Sequence, residues 1–208
     1  MHVVILNGQT EVFDSVCSQF AAREVNLSVI DLQSNPTDSK EHAWHLERVD
    51  DLEIKKILKS IAEKDGAIDG FLYLPPAEDS CEELNLEMMV FFFAKHISRW
   101  YRKSDYPSRK VFMVMTQLDG QFGLSGAGNW QPQEGALNGL VKTLNQEWAD
   151  VFCRLVDMPD HIPSELAASR ILNEWMDADS SLCEVGYTND GRFTIEFEEI
   201  SDEESELV

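Results

Sequence analysis

Positive charge is what this chain has least of. Its 208 residues hold 17 lysines and arginines against 38 aspartates and glutamates, a formal net of −21. Such a surface repels nucleic-acid phosphates and anionic lipid headgroups, so neither nucleic acid nor a membrane is expected as a partner. The carboxylate excess reads either as solubility or as a docking surface for a basic partner. Cysteine is sparse: Cys17, Cys81, Cys153 and Cys183 lie far apart with no Cys-x-x-Cys pair. Without clustered ligands near the five histidines, no metal site is expected, and Cys17 and Cys153 read as small core residues. No basic segment leads into an apolar stretch, so no secretory signal is read. The longest apolar run, residues 88–94, has seven residues, against the roughly 20 that a membrane-spanning helix needs. A P-loop lysine motif, a Gly-x-Ser-x-Gly elbow and internal repeats are all missing. The chain is expected to be soluble, reduced and cytoplasmic, and Met1 reads as the start of a complete reading frame.

What is present is enough apolar side chain for one core, 43% of the residues. Short apolar runs alternate with segments of helical spacing. Strands are predicted at residues 3–6, 27–32, 44–49, 70–74, 110–116 and 151–156. Between them fall helices: one carrying Val12, Val16 and Phe20 behind a Thr10 cap, and one carrying Leu52 to Ile61 behind Asp51. A third runs from about Cys81 through Trp100, a fourth over 135–149, and a fifth over 165–175 with Ser164 as a cap. Residues 33–40 and the Gly-rich 120–128 read as loops. A hairpin is predicted from 183–187 and 193–197 around Asn189-Asp190-Gly191. Alternating strands and helices of this kind predict an α/β, doubly wound parallel sheet covered on both faces. Residues 1–197 form one domain, and 198–208 an acidic tail expected to be disordered. Met88-Met89 and Phe91-Phe92-Phe93 exceed one helical face, so part of this surface reads either as core, the leading reading, or as a surface that meets another protein. His96 reads as a satisfied core histidine.

Three stretches resemble the short-chain dehydrogenases/reductases. Ala67-Ile68-Asp69-Gly70-Phe71-Leu72-Tyr73-Leu74 is similar to that family's passage into the fourth strand. Gly135-Ala136-Leu137-Asn138-Gly139-Leu140-Val141-Lys142-Thr143-Leu144, with Glu147-Trp148, resembles the helix after its catalytic tyrosine and lysine. Val156-Asp157 matches the end of its sixth strand. More narrowly, Thr116-Gln117-Leu118-Asp119-Gly120-Gln121-Phe122-Gly123 and residues 135–157 resemble ketoreductase domains of modular polyketide and polyunsaturated-fatty-acid synthases, above all their truncated, non-catalytic structural subdomain. The resemblance implies a Rossmann-like sheet and, in catalytic relatives, a nicotinamide cofactor and a β-ketoacyl substrate.

Measured against that chemistry, the chain is eroded. A pyrophosphate needs glycines at the first strand–helix turn so that backbone amides can approach it. Here the turn reads Leu6-Asn7-Gly8-Gln9-Thr10-Glu11, with Gly8 as its single glycine, and Glu11 and Asp14 add negative charge. Asp31 ends the second strand where an acidic residue would bind the adenosine ribose, or it is a turn former; with Gly8 it is a vestige. The resemblance places Trp130 at the catalytic tyrosine and Glu134 at the lysine four residues later. An indole N–H only donates, and a carboxylate raises a neighbouring acid's pKa where an ammonium would lower it. Thr116 or Gln117 falls near the serine that holds the carbonyl, with Ser125 later in the loop. Asn85 matches the family's asparagine or caps its helix. No catalytic set and no cofactor are therefore expected. The chain reads as a degenerate ketoreductase-like domain that braces or docks, its partner a catalytic ketoreductase, a synthase subunit or a second copy. The alternative is an NADPH-dependent reductase of β-ketoacyl substrates with a reassigned acid, Tyr73 or Tyr101. A third reading is an adaptor whose acidic tail engages a basic partner.

Overall fold

The computed structural model describes residues 1–7, 10–32, 43–46, 48–76, 85–103, 109–126 and 132–196. Among them eight strands form one sheet in the order β3-β2-β1-β4-β5-β6-β7-β8. In chain order these are β1 (His2–Asn7), α1 (Glu11–Ala21), β2 (Asn26–Asp31), β3 (Ala43–His45), α2 (Asp51–Asp65) and β4 (Gly70–Tyr73). There follow α3 (Leu86–Lys103), β5 (Lys110–Thr116), α4 (Pro132–Glu147), β6 (Val151–Asp157), α5 (Ser164–Met176), β7 (Glu184–Thr188) and β8 (Gly191–Phe193). Every pairing is parallel except β7 with β8, which closes the sheet as a hairpin. This is the expected α/β, Rossmann-like doubly wound sheet with a C-terminal β-hairpin.

The pleat divides the strand side chains between two cores. Val3, Ile5, Leu72, Met113, Phe152 and Val156 face α1 and α5. Val4, Leu6, Phe71, Phe112, Val114 and Leu155 face α2, α3 and α4. With both faces covered, the central strands are apolar over most of their length, as buried parallel strands are, with polar residues at their ends and Arg154 within β6. Gly70 opens β4 because a Cβ there would stand 2.5 Å from the Trp175 ring of α5.

Element ends shift for local reasons. Thr10 caps α1 as expected, its hydroxyl accepting from the Phe13 amide at 3.3 Å. The cap of α2 is Asp50, not Asp51: the Asp50 carboxylate accepts from the Glu53 amide at 2.8 Å, which leaves Asp51 free to bind His96 and Lys95 on α3. Ser164 is not a side-chain cap. It is the first residue of α5 behind Pro163, and its hydroxyl donates to Glu11 of α1 at 3.1 Å. The third strand is shorter and earlier than the predicted 44–49, and the second arm of the hairpin lies at Gly191–Phe193, not 193–197. Residues 81–84, the predicted start of α3, and the 198–208 tail lie outside the described residues.

One buried charge network ties the C-terminal third together. Arg154 of β6 is wholly buried, its Nη1 3.0 Å from Glu174 Oε2. Its Nη2 donates to Asp177 Oδ2 at 3.1 Å and to the Asp179 carbonyl at 2.7 Å. Glu174, itself buried, accepts from Arg192 of β8 at 2.7 and 3.0 Å and from the Tyr187 hydroxyl of β7. The guanidinium of Arg154 also lies over the Phe152 ring, 4.7 Å from its centroid. Removing one partner of a buried pair strands the other charge. Glu174→Ala is therefore expected to cost about 3–5 kcal/mol in urea denaturation, and Arg154→Met with Glu174→Leu to recover most of that loss. A Glu174→Ala chain as stable as the wild type would contradict the network's role.

Candidate functional site

In a doubly wound sheet ligands lie outside the C-terminal strand ends, where the strand order reverses. Here that point falls between β1 and β4, with β5 and β6 alongside. The connection leaving β5 is fastened by two carboxylates. Asp157, the last residue of β6, is fully buried. Its Oδ1 accepts from the Thr116 hydroxyl at 2.8 Å and the Leu118 amide at 2.9 Å, and its Oδ2 from the Phe122 amide at 2.9 Å. Asp119 accepts from the amides of Gln121, Gly123 and Ser125 at 2.8, 2.8 and 3.1 Å. Burial pushes the Asp157 carboxyl above its usual range, against the pull of its hydrogen bonds. At Asp119 burial is outweighed by the hydrogen bonds from Ser125, Gly123 and Gln121, which hold it below that range.

The loop so held presses on β7. Gly120 has φ +75°, and a Cβ on it would stand 2.0 Å from the Tyr187 carbonyl oxygen; one on Gly186 would stand 2.1 Å from the Gly120 carbonyl. Backbone meets backbone, so both positions require glycine. Phe122, with φ +61°, packs its ring against the α2–α4 core. The chain's own loop thus lies over the C-terminal ends of β6 and β7.

The predicted site residues that the structure describes lie at several places in the fold. Thr116 is buried and its hydroxyl is committed to Asp157; Gln117 is half-buried beside it. Ser125 is exposed, its amide on Asp119. Asn85 is a helix cap, its side-chain oxygen accepting from the Met88 amide at 2.8 Å at the start of α3. Asp31 is buried at the end of β2, opposite Asn7, and its carbonyl accepts from the Leu46 amide at 3.0 Å. Glu134 falls in the first turn of α4; Gly8 and Trp130 lie outside the described residues. Tyr73 is buried at the end of β4. Tyr101 is at the opposite edge of the sheet, its hydroxyl donating at 2.7 Å to the carbonyl of Val111, near the start of β5. Burial raises its pKa well above the ordinary tyrosine value. Beside it opens a cavity of about 280 Å³ lined by Ser98, Lys110, Glu147 and Trp148, where the Lys110 ammonium is 2.6 Å from Asp69. His96 is buried with Nε2 2.7 Å from Asp51 Oδ1, while its Nδ1 has no hydrogen-bond partner among the described residues, so the expected core histidine is satisfied at one ring nitrogen alone.

A nicotinamide dinucleotide, which the fold implies, would set its pyrophosphate at the turn between β1 and α1. The described residues do not fit it. The Phe13 amide is taken by Thr10, and Glu11 and Asp14 put two carboxylates into the first helical turn. One feature runs the other way. Asn7 ends β1 fully buried, and neither polar atom of its side-chain amide has a hydrogen-bond partner among the described residues. Sequence reasoning passed over Asn7 and Asp119. The signals were a polar residue closing an otherwise apolar strand, and a turn aspartate followed by glycines, which accepts amides further along the chain.

Comparison with known proteins agrees with this geometry. No protein-family model matches the chain. A curated relative, one of the subunits of the polyunsaturated fatty acid synthase of Thraustochytrium sp. (strain ATCC 26185 / S-3), is 37% identical over 94 residues, which is 42% of this chain and only 3% of that protein. Among solved structures, a short chain dehydrogenase from Mycobacterium avium has a TM-score of 0.67 at 14% identity, covering 97% of this chain and 88% of that one. An oxidoreductase (short chain dehydrogenase/reductase) from Brucella ovis gives 0.65 at 13%, covering 90% of this chain and 100% of that one. An N-terminal ketoreductase from the macrolactin assembly line gives 0.63 at 10%, covering 89% of this chain and 38% of that one. The chain therefore has the short-chain dehydrogenase/reductase fold in a truncated form, shared with an assembly-line ketoreductase.

Asp157→Asn keeps an acceptor for Thr116 and Leu118 but turns an NH₂ toward the Phe122 amide. It is expected to cost about 1–3 kcal/mol in chemical denaturation and to speed chymotryptic cleavage after Phe122. Unchanged stability and unchanged cleavage would show that the clamp does not hold the loop.

Proposed function

We propose that this chain is a catalytically degenerate ketoreductase-like domain, a structural or docking component of a polyketide or fatty-acid synthase-type system. The observation that carries this reading is Thr116. This residue, one of the two that fall near the family's carbonyl-holding serine, is buried with its hydroxyl on Asp157, where it fastens the chain's own loop. Trp130 and Glu134 at the tyrosine and lysine positions support the same reading, as does the identity shared with part of a fatty acid synthase. Its partner is a catalytic ketoreductase, another synthase subunit or a second copy.

A second reading keeps one observation of its own. The unpaired, buried Asn7 amide stands at the turn where a cofactor would lie, which favours an NADPH-dependent reductase of β-ketoacyl substrates. Calorimetric titration with NADPH and with NADH separates the two. The degenerate reading expects no binding heat at millimolar cofactor and no NADPH oxidation with a β-ketoacyl thioester. Micromolar NADPH binding that weakens at least tenfold in Asn7→Leu would establish the reductase instead.

A further inference from the structure

The basic residues of this acidic chain are not spread evenly. Helices α2 and α3 carry eight of its 17 lysines and arginines but only five of its 38 acidic residues. The two helices are locked together where α2 begins, with Lys95 Nζ 3.0 Å from Asp51 Oδ1 and His96 on the same oxygen. Around that junction apolar side chains stand in solvent: Leu52 is 62% exposed, Met88 44% and Phe91 46%. Met88, Phe91 and Lys95 share one helical face by their spacing of three and four. Phe91 leans on Phe92, ring centroids 5.9 Å apart, and Lys95 Nζ stands 5.5 Å from the Phe92 centroid. Lys55, Lys56 and Arg99 are exposed, with no ion pair among the described residues. Apolar side chains ringed by uncompensated cations are costly to maintain unless something covers them.

We propose that the α2–α3 face is a docking surface for a partner that presents an acidic, apolar-centred helix. Leu52, Met88 and Phe91 form the buried centre, and Lys55, Lys56 and Arg99 the charged rim. Charge complementarity selects the partner. The chain's net negative charge repels acidic surfaces in general, whereas the cations of this face attract one; its rim steers the approach while the apolar centre supplies the contact area. The face lies on exposed sides of two helices and does not use the loop at the strand ends. The inference extends the docking reading above by naming the surface and the partner's chemistry.

The probe is a dye-labelled helical peptide of leucine and glutamate, leucines at spacings of three and four, followed by fluorescence anisotropy at low and moderate salt. A second peptide has lysine for glutamate. The glutamate peptide is expected to bind, to weaken with salt, and to weaken at least tenfold against Lys55→Glu/Lys56→Glu and against Met88→Ser/Phe91→Ser. Thermal melts establish that both variants fold, since all four side chains are exposed. Equal binding by the variants, preference for the lysine peptide, or no binding would overturn the proposal. So would concentration-dependent dimerisation of the chain alone that Met88→Ser/Phe91→Ser abolishes, which would make the occupant a second copy. Peptide binding by a chain that also binds NADPH would keep this surface while removing the degenerate reading. Silence in both titrations would do the reverse.

Discussion

A single buried carboxylate decides what the functional edge of this molecule is. Asp157 closes β6 and gathers three donors from the connection that leaves β5. A buried carboxyl group is tolerated where such donors replace its hydration, so departure of the loop would cost Asp157 all three of these hydrogen bonds. The fold normally keeps that edge for a ligand. In this chain Asp157 and Asp119 bind backbone there, and the Gly120–Gly186 contact seals the loop to β7.

Charge is managed differently inside and outside. In the interior, Arg154, Glu174, Tyr187 and Arg192 join β6, α5 and the hairpin into one cluster. That cluster makes the hairpin part of the domain and not an appendage. Outside, the negative excess is interrupted by α2 and α3. Net charge alone suggested a basic partner; the distribution on the folded surface points to an acidic one. Net charge governs solubility and long-range approach, while local pattern governs which face can be covered.

The architecture was legible because it rests on periodicity. Runs such as Val3 to Leu6 and Lys110 to Thr116, set between helical spacings, required a parallel sheet covered on both faces. Thr10 was readable as a cap for the same reason: it precedes an amphipathic helix. Asp50 was not, because two consecutive aspartates offer the same side chain and only the contact of Asp51 with α3 tells them apart. The proposed loss of catalysis rests on Trp130 and Glu134, which the resemblance places at positions that call for other chemistry. The fastening of the loop after β5 was not visible. The Asp157 clamp links residues 35 to 41 positions apart, and Gly120 and Gly186 meet backbone to backbone from distant parts of the sequence. Local pattern does not encode such long-range backbone contacts, and the exposure of Met88 and Phe91 likewise depends on how α3 rotates onto the sheet.

The most direct test of the account is amide hydrogen exchange at Leu118, Phe122 and Gly123, with and without millimolar NADPH. If the loop is fastened by Asp157 and Asp119 and no cofactor enters, these amides are protected in the chain alone and unchanged by NADPH. Exchange at the rate of an open loop, or protection that appears only with the cofactor, would contradict it.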